Sequence, residues 1–229
     1  MASEPALSLV SLERGRLTFA VRPRVQDLPG IQRFLLLLAP DGGRTVRRIA
    51  VGKRRLPRKT LQEREWAYID RVLPRDEDAL ADRGAHVYST KTRGIRHQPA
   101  AYPIAEGTYD LLAHGQHTHL AYQLDHVDGH DTLLSALAIR PRGDLIVAVF
   151  NPLRWTGPAM AGNDNADDDL PISEPSIFDD ELQAKFGDRR FAALEPAHLE
   201  VEGAEMVLIE AARADFVRDF DADGGSQEP

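Results

Sequence analysis

Phe34-Leu-Leu-Leu-Leu-Ala-Pro-Asp-Gly-Gly-Arg-Thr-Val-Arg-Arg-Ile-Ala-Val51 carries the strongest fold signal in the chain. Residues 34–38 are apolar on both faces and strand-sized, which predicts a central, fully covered strand. Pro40-Asp-Gly-Gly43 is a turn, and residues 46–51 are β-branched enough to return beside it as an antiparallel partner. A sheet built from hairpins is therefore the starting point.

Working towards the N-terminus, residues 7–12 and 17–21 read as the arms of another hairpin, with Glu13-Arg14-Gly15 as its turn. Towards the C-terminus, Thr60-Leu-Gln-Glu63 has the capping-box pattern, and Leu61, Glu65, Tyr68 and Val72 share a helical face. A helix over 60–73 is predicted, ended by Pro74. A second, acidic helix is predicted over 76–82, stopping at Gly84.

Residues 86–101 are polar and basic and read as an extended crossing, with a soft boundary near 85–104 inside one domain of residues 1–218. A second hairpin is expected from 108–112 and 117–124 around His114-Gly115-Gln116. Residues 145–150 form another central strand, 178–186 a short helix capped by Ser176, and 206–209 a last buried strand. The acidic, Pro/Gly/Asn-rich stretch 153–177 reads as a mobile insertion and 219–229 as a disordered tail. Gly15-Arg-Leu-Thr-Phe-Ala-Val21 echoes Gly143-Asp-Leu-Ile-Val-Ala-Val149, which reads as two ordinary strands following glycine turns.

Together these elements predict an α+β fold: one antiparallel sheet, as a sandwich or partly closed barrel, with two or three peripheral helices.

Charge is the second informative feature. Residues 1–100 hold 20 Lys and Arg against 11 Asp and Glu, whereas residues 101–229 hold 8 against 25. Eight cations and no acid fall in the 16 residues from Arg44 to Lys59. Such clusters neutralise phosphates through Arg forks and Lys point charges. Arg47, Arg48, Lys53, Arg54, Arg55, Lys91, Arg93 and Arg96 are the candidate ligand-binding residues, and the first five are expected to face solvent for the most part as one positive patch. Trp66, Tyr68 and Tyr88 are the nearby aromatics able to stack on bases. The leading expectation is a binding protein for an anionic ligand, nucleic acid included. Opposite charges on the two halves could also join copies of the chain into a homo-oligomer, which gives a structural or assembly role as an alternative.

Five of the eight histidines fall between 114 and 130. His117 and His119 are two apart on a predicted strand, so their imidazoles leave one face. With His114 from the turn they form a candidate site for a divalent transition metal, and a metal-dependent enzyme is the other alternative. The spacing is similar to the His-x-His of cupin barrels, although the later carboxylate, glycine and third histidine of that pattern are missing. Asn163, Asn165, Asp167, Asp169 and Glu174 mimic a calcium loop. That mimic lacks the glycine at its sixth position and reads as solvated chain.

The chain holds no cysteine, which excludes disulfides, thiolate nucleophiles and Cys-ligated metals. No apolar run is long enough to span a bilayer and no signal peptide is evident, so a soluble, cytoplasmic protein is expected. Phosphate-binding Gly-x-x-x-x-Gly-Lys, Gly-x-Ser-x-Gly and His-Glu-x-x-His motifs are absent.

Overall fold

The computed structural model of the protein describes residues 9–25, 30–58, 63–92, 94–127, 131–157 and 174–211. Strands β1 (Val10–Pro23), β2 (Ile31–Pro40), β3 (Thr45–Val51) and β4 (Arg64–Pro74) follow one another along the chain. They precede a small hairpin, β5 (His86–Thr90) and β6 (Gly94–Gln98). Next come β7 (Tyr102–His114), β8 (His117–Val127), helix α1 (Asp131–Ala136) and β9 (Arg142–Phe150). Helix α2 (Asp180–Ala184), β10 (Phe191–Ala193) and β11 (Glu205–Glu210) complete the described fold.

The strand order β9-β11-β4-β3-β2-β1-β7-β8 returns to β9 through the β8–β9 pairing, so eight antiparallel strands close into a barrel. The predicted α+β sheet with two or three peripheral helices is thereby overturned: the described helices are two, of six and five residues. Closure removes the two free edges that an open sheet would carry. Alternation along the strands fills the interior. Leu17, Phe19 and Val21 of β1 pack with Phe34, Leu36 and Leu38 of β2, all at most 1% exposed. Leu56, Leu134 of α1 and Leu137 just after it cover one end of the barrel. Phe178, Phe186 and Leu199 cover the other.

The largest correction falls on residues 60–73. Thr60 lies outside the described residues, and from Arg64 onwards the chain is strand, not helix. Glu65, Ala67 and Ile69 alternate inward and Trp66, Tyr68 and Asp70 outward. A period of two fits the segment as well as a period of 3.6. The two antiparallel neighbours β3 and β11 decide between them, because only a strand satisfies both ladders.

The second predicted helix is a single 3-10 turn over Ala81–Arg83. The short helix near residue 180 is present but starts from Asp179, whose carboxylate accepts from the Leu182 N–H, and not from Ser176. The N-terminal hairpin is also corrected. Glu13, Arg14 and Gly15 sit inside the single strand β1. A Cβ on Gly15 would stand 2.2 Å from the Ala39 carbonyl oxygen, so glycine permits a close strand approach here, with no turn.

The hairpin β7–β8 matches expectation, with His114 opposite His117 and Gly115 at φ 59° in the two-residue loop. The pairing of β2 with β3 likewise follows the Pro40–Gly43 turn. Strands on both sides of residues 85–104 belong to the same barrel. Most of 153–177, and all of 219–229, lie outside the described residues, as do the calcium-loop positions before Glu174.

One end of the core contains a histidine. His198 is fully buried edge-on to the rings of Phe178 and Phe186, at centroid distances of 5.2 and 6.0 Å. Its Nδ1 accepts from the Glu195 N–H at 3.0 Å, which puts the proton on Nε2, where no hydrogen-bond partner stands among the described residues. Burial holds its pKa below the ordinary histidine value.

The unfolded chain therefore binds this proton more readily than the folded one. The contribution to stability is present above about pH 6.5 and is lost as pH falls, at up to about 1.4 kcal/mol per unit, until the folded pKa is reached. His198→Asn keeps an acceptor for Glu195, so its denaturation midpoint should be lower at neutral pH but flatter between about pH 7 and 5. An unchanged slope would assign the acid sensitivity to another group.

Candidate functional site

The predicted cationic patch divides over two faces of the barrel wall. Arg47 points inward at a barrel end and is 4% exposed. Its Nη1 donates to Glu13 Oε1 at 2.5 Å, and its Nε and Nη2 donate to Glu200 Oε1 at 2.7 and 2.5 Å. Tyr109 donates its hydroxyl to the same Glu13 oxygen at 2.7 Å. Burial and the Glu13 charge push the Tyr109 pKa far up, so the phenol stays protonated.

Arg48 points outward yet is 0% exposed, because residues 79–83 fold over it. Its Nε donates to Asp70 Oδ2 at 2.6 Å, its Nη1 to the Ala79 carbonyl at 2.6 Å, and its two terminal nitrogens to Asp82 at 2.5 and 2.8 Å. The expectation that Arg47 and Arg48 face solvent is overturned. Adjacent strand residues must take opposite faces, and acids wait on both.

The loop after β3 is also paired. Arg55 grips Glu63 with both terminal nitrogens, at 2.5 and 2.7 Å, and this holds the Glu63 carboxylate down at about 2. Lys53 Nζ stands 3.3 Å from Glu65 Oε1. The Glu65 side chain is fully buried, and burial raises its pKa. Arg54, at φ 63°, donates through Nε to the Gln32 carbonyl. This cluster fixes the loop against the barrel.

The metal candidates separate in a similar way. His117 is exposed and His119 buried. His119 Nδ1 lies 2.9 Å from Asp144 Oδ1, an aspartate on the neighbouring strand β9. The His114 ring comes within 5.8 Å of the His119 ring. Among the described residues no group of three or more histidine and carboxylate side chains is placed to hold a metal ion.

What stays outward is the β5–β6 hairpin, a separate two-stranded sheet that makes no ladder with the barrel. Its root is clamped. Arg22, 6% exposed, donates to the Gly84 and Pro99 carbonyls and lies 3.1 Å from His86 Nδ1. Gln98 donates to the Pro23 carbonyl at 2.7 Å.

Beyond the root the arm is open. Val87 is 61% exposed, Ile95 68% and Tyr88 37%, with Lys91 and His97 also exposed and Arg96 half-buried. Arg93 lies outside the described residues. The register sets Tyr88 opposite Arg96, and the His86 ring tilts beside Tyr88 at 5.5 Å. From Arg83 to Ala105 the sequence contains no acidic residue.

Of the three stacking candidates, only Tyr88 keeps an open face. Trp66 packs on Phe150 and Phe191, and Tyr68 is 2% exposed. The arm was visible in sequence as basic residues and one aromatic. Its projection from the barrel was not, because nothing local marks where a sheet ends. No helix among the described residues is long and apolar enough to cross a membrane. No protein-family model, no curated protein and no solved structure matches the chain.

Proposed function

We propose that this protein is a non-catalytic binding module that presents the β5–β6 arm to single-stranded nucleic acid. The carrying observation is the arm itself. It is an acid-free, basic and aromatic hairpin, fixed at its root and open beyond it, on a barrel whose other predicted cations are largely committed to internal partners.

Lys91, Arg93 and Arg96 supply the phosphate contacts, and Tyr88 with His86 supplies ring faces for bases. Val87 and Ile95 offer apolar contact to sugars and base edges. The chain's net charge of −8 repels polyanions at long range, so binding is local to the arm and strongly salt-sensitive. Unstacked bases are needed to use Tyr88, which favours a single strand over a duplex.

The test is fluorescence anisotropy with a labelled single-stranded oligonucleotide across a salt series. About three phosphate contacts give a log–log slope near −2, taking about 0.7 per contact. Lys91→Glu combined with Arg96→Glu should weaken binding at least about tenfold and flatten the slope by about one or more. Tyr88→Ala should weaken binding by about 1–3 kcal/mol with little change in slope. Equal affinity in wild type and the double variant would overturn this reading.

A further inference from the structure

Arg22, on barrel strand β1, is 6% exposed and reaches the roots of both arm strands. Its Nη2 donates to the Gly84 carbonyl, two residues before β5, at 3.1 Å. Its Nε donates to the Pro99 carbonyl, just after β6, at 3.3 Å. The same Nη2 stands 3.1 Å from His86 Nδ1. A two-stranded hairpin is marginal by itself in water, and this one makes no ladder with the barrel. Root contacts of this kind therefore set its direction.

The contact with His86 carries a condition. A guanidinium has donors and no acceptor, so Nδ1 has to accept and the ring has to be neutral, with its proton on Nε2. The groups facing His86 are Arg22 from β1, the Tyr88 ring from its own strand at 5.5 Å, and Gln98, its register partner on β6. Arg96, opposite Tyr88, belongs to the same face of the hairpin. None of these is an acid. A second ring proton sets a donor on Nδ1 against the Arg22 donor, and adds a positive charge to a face that already carries two cations.

We propose that Arg22 is the positioning residue of the arm and that protonation of His86 releases its hold. With His86 neutral, the hairpin is held in one direction and meets a nucleic-acid strand preorganised. With His86 protonated, it swings on its root, and the cost of ordering it falls on binding. The extra charge offsets part of that cost, so the motion of the arm is the direct readout. The purpose of such a hold rests on the nucleic-acid reading, but the motion is measured without nucleic acid, so the two can fail separately.

The chain holds no cysteine, so Thr92→Cys, exposed in the turn between β5 and β6, takes a single nitroxide label. Electron paramagnetic resonance of the full chain reads its rotational correlation time at about pH 8 and about pH 5, which bracket the change of charge of an ordinary imidazole. A separate label at Thr108→Cys, exposed on β7, reports on the barrel. The Thr92 label should tumble at least about twofold faster at the lower pH, with the Thr108 label unchanged.

His86→Asn puts a carbonyl oxygen that gains no proton where Nδ1 stands, and should abolish the change. His86→Lys, a permanent cation at an exposed position, and Arg22→Gln should each free the label already at the higher pH. There Arg22→Gln should also weaken oligonucleotide binding by about tenfold at an unchanged salt slope, because no phosphate contact is lost. A Thr92 label that keeps its mobility across the pH change overturns the proposal. So does the same change in His86→Asn, which assigns the proton to another group.

Discussion

Arg48→Leu should lower the free energy of unfolding by about 3 kcal/mol, read as a shift of the urea midpoint at unchanged slope. The guanidinium is fully buried, and four of its hydrogen bonds end on Asp70, Ala79 and Asp82. Removing it takes a donor from the Ala79 carbonyl and leaves Asp70, itself 3% exposed, with Arg83 as its remaining cation partner. Breaking a buried ion pair from one side typically costs about 3–5 kcal/mol, because the other charge stays buried without compensation. Asp82 is half exposed and can turn to water, which puts the expectation at the lower end of that range.

The double variant Arg48→Leu with Asp70→Leu removes both charges. It should recover much of the loss, since apolar replacement of a whole buried pair is often neutral or stabilising by about 1–4 kcal/mol. A single-variant loss below about 0.5 kcal/mol, as at ordinary surface positions, would contradict the buried network.

The same residue explains what the sequence concealed. In a run of eight cations between Arg44 and Lys59, no local signal says which are buried. The partners of Arg47 are Glu13 and Glu200, far from it along the chain on either side. Even the nearer Asp70 and Asp82 reach Arg48 only because β4 pairs with β3 and residues 79–83 fold back. A charge run reads as a patch until the tertiary fold supplies its acids.

Short-range features were legible. The turn at Pro40-Asp-Gly-Gly43 and the loop at Gly115-Gln116 each join strands that touch directly, so composition and turn chemistry specify both pairings. Closure was not legible. The ladders β1–β7 and β4–β11 join distant segments, and no local pattern distinguishes a strand at an open edge from one that seals a barrel. Residues 64–74 failed for a different reason. Their apolar positions satisfy both periods, and the capping-box pattern at Thr60 weighted the wrong one.

The histidines show a third kind of ambiguity. Alternation placed His117 and His119 on one face, but burial of His119 beside Asp144 and exposure of His117 depend on how neighbouring strands cover that face.

The central claim is a division of labour between a barrel that holds the fold and an arm that binds. Replacing residues 86–98 with a short Gly/Ser linker tests it most directly. The arm makes no ladder with the barrel, and Arg22 and Gln98 tie down its root. The expected result is a variant whose circular dichroism and cooperative melting remain those of the parent. Its melting temperature should fall by at most about 8 °C, reflecting the lost Arg22 contacts. Its affinity for a single-stranded oligonucleotide at low salt should drop at least about 100-fold, as the phosphate and stacking contacts go together. Retained affinity in a folded variant would contradict the account, and a variant that no longer folds would show that the arm belongs to the barrel's own stability.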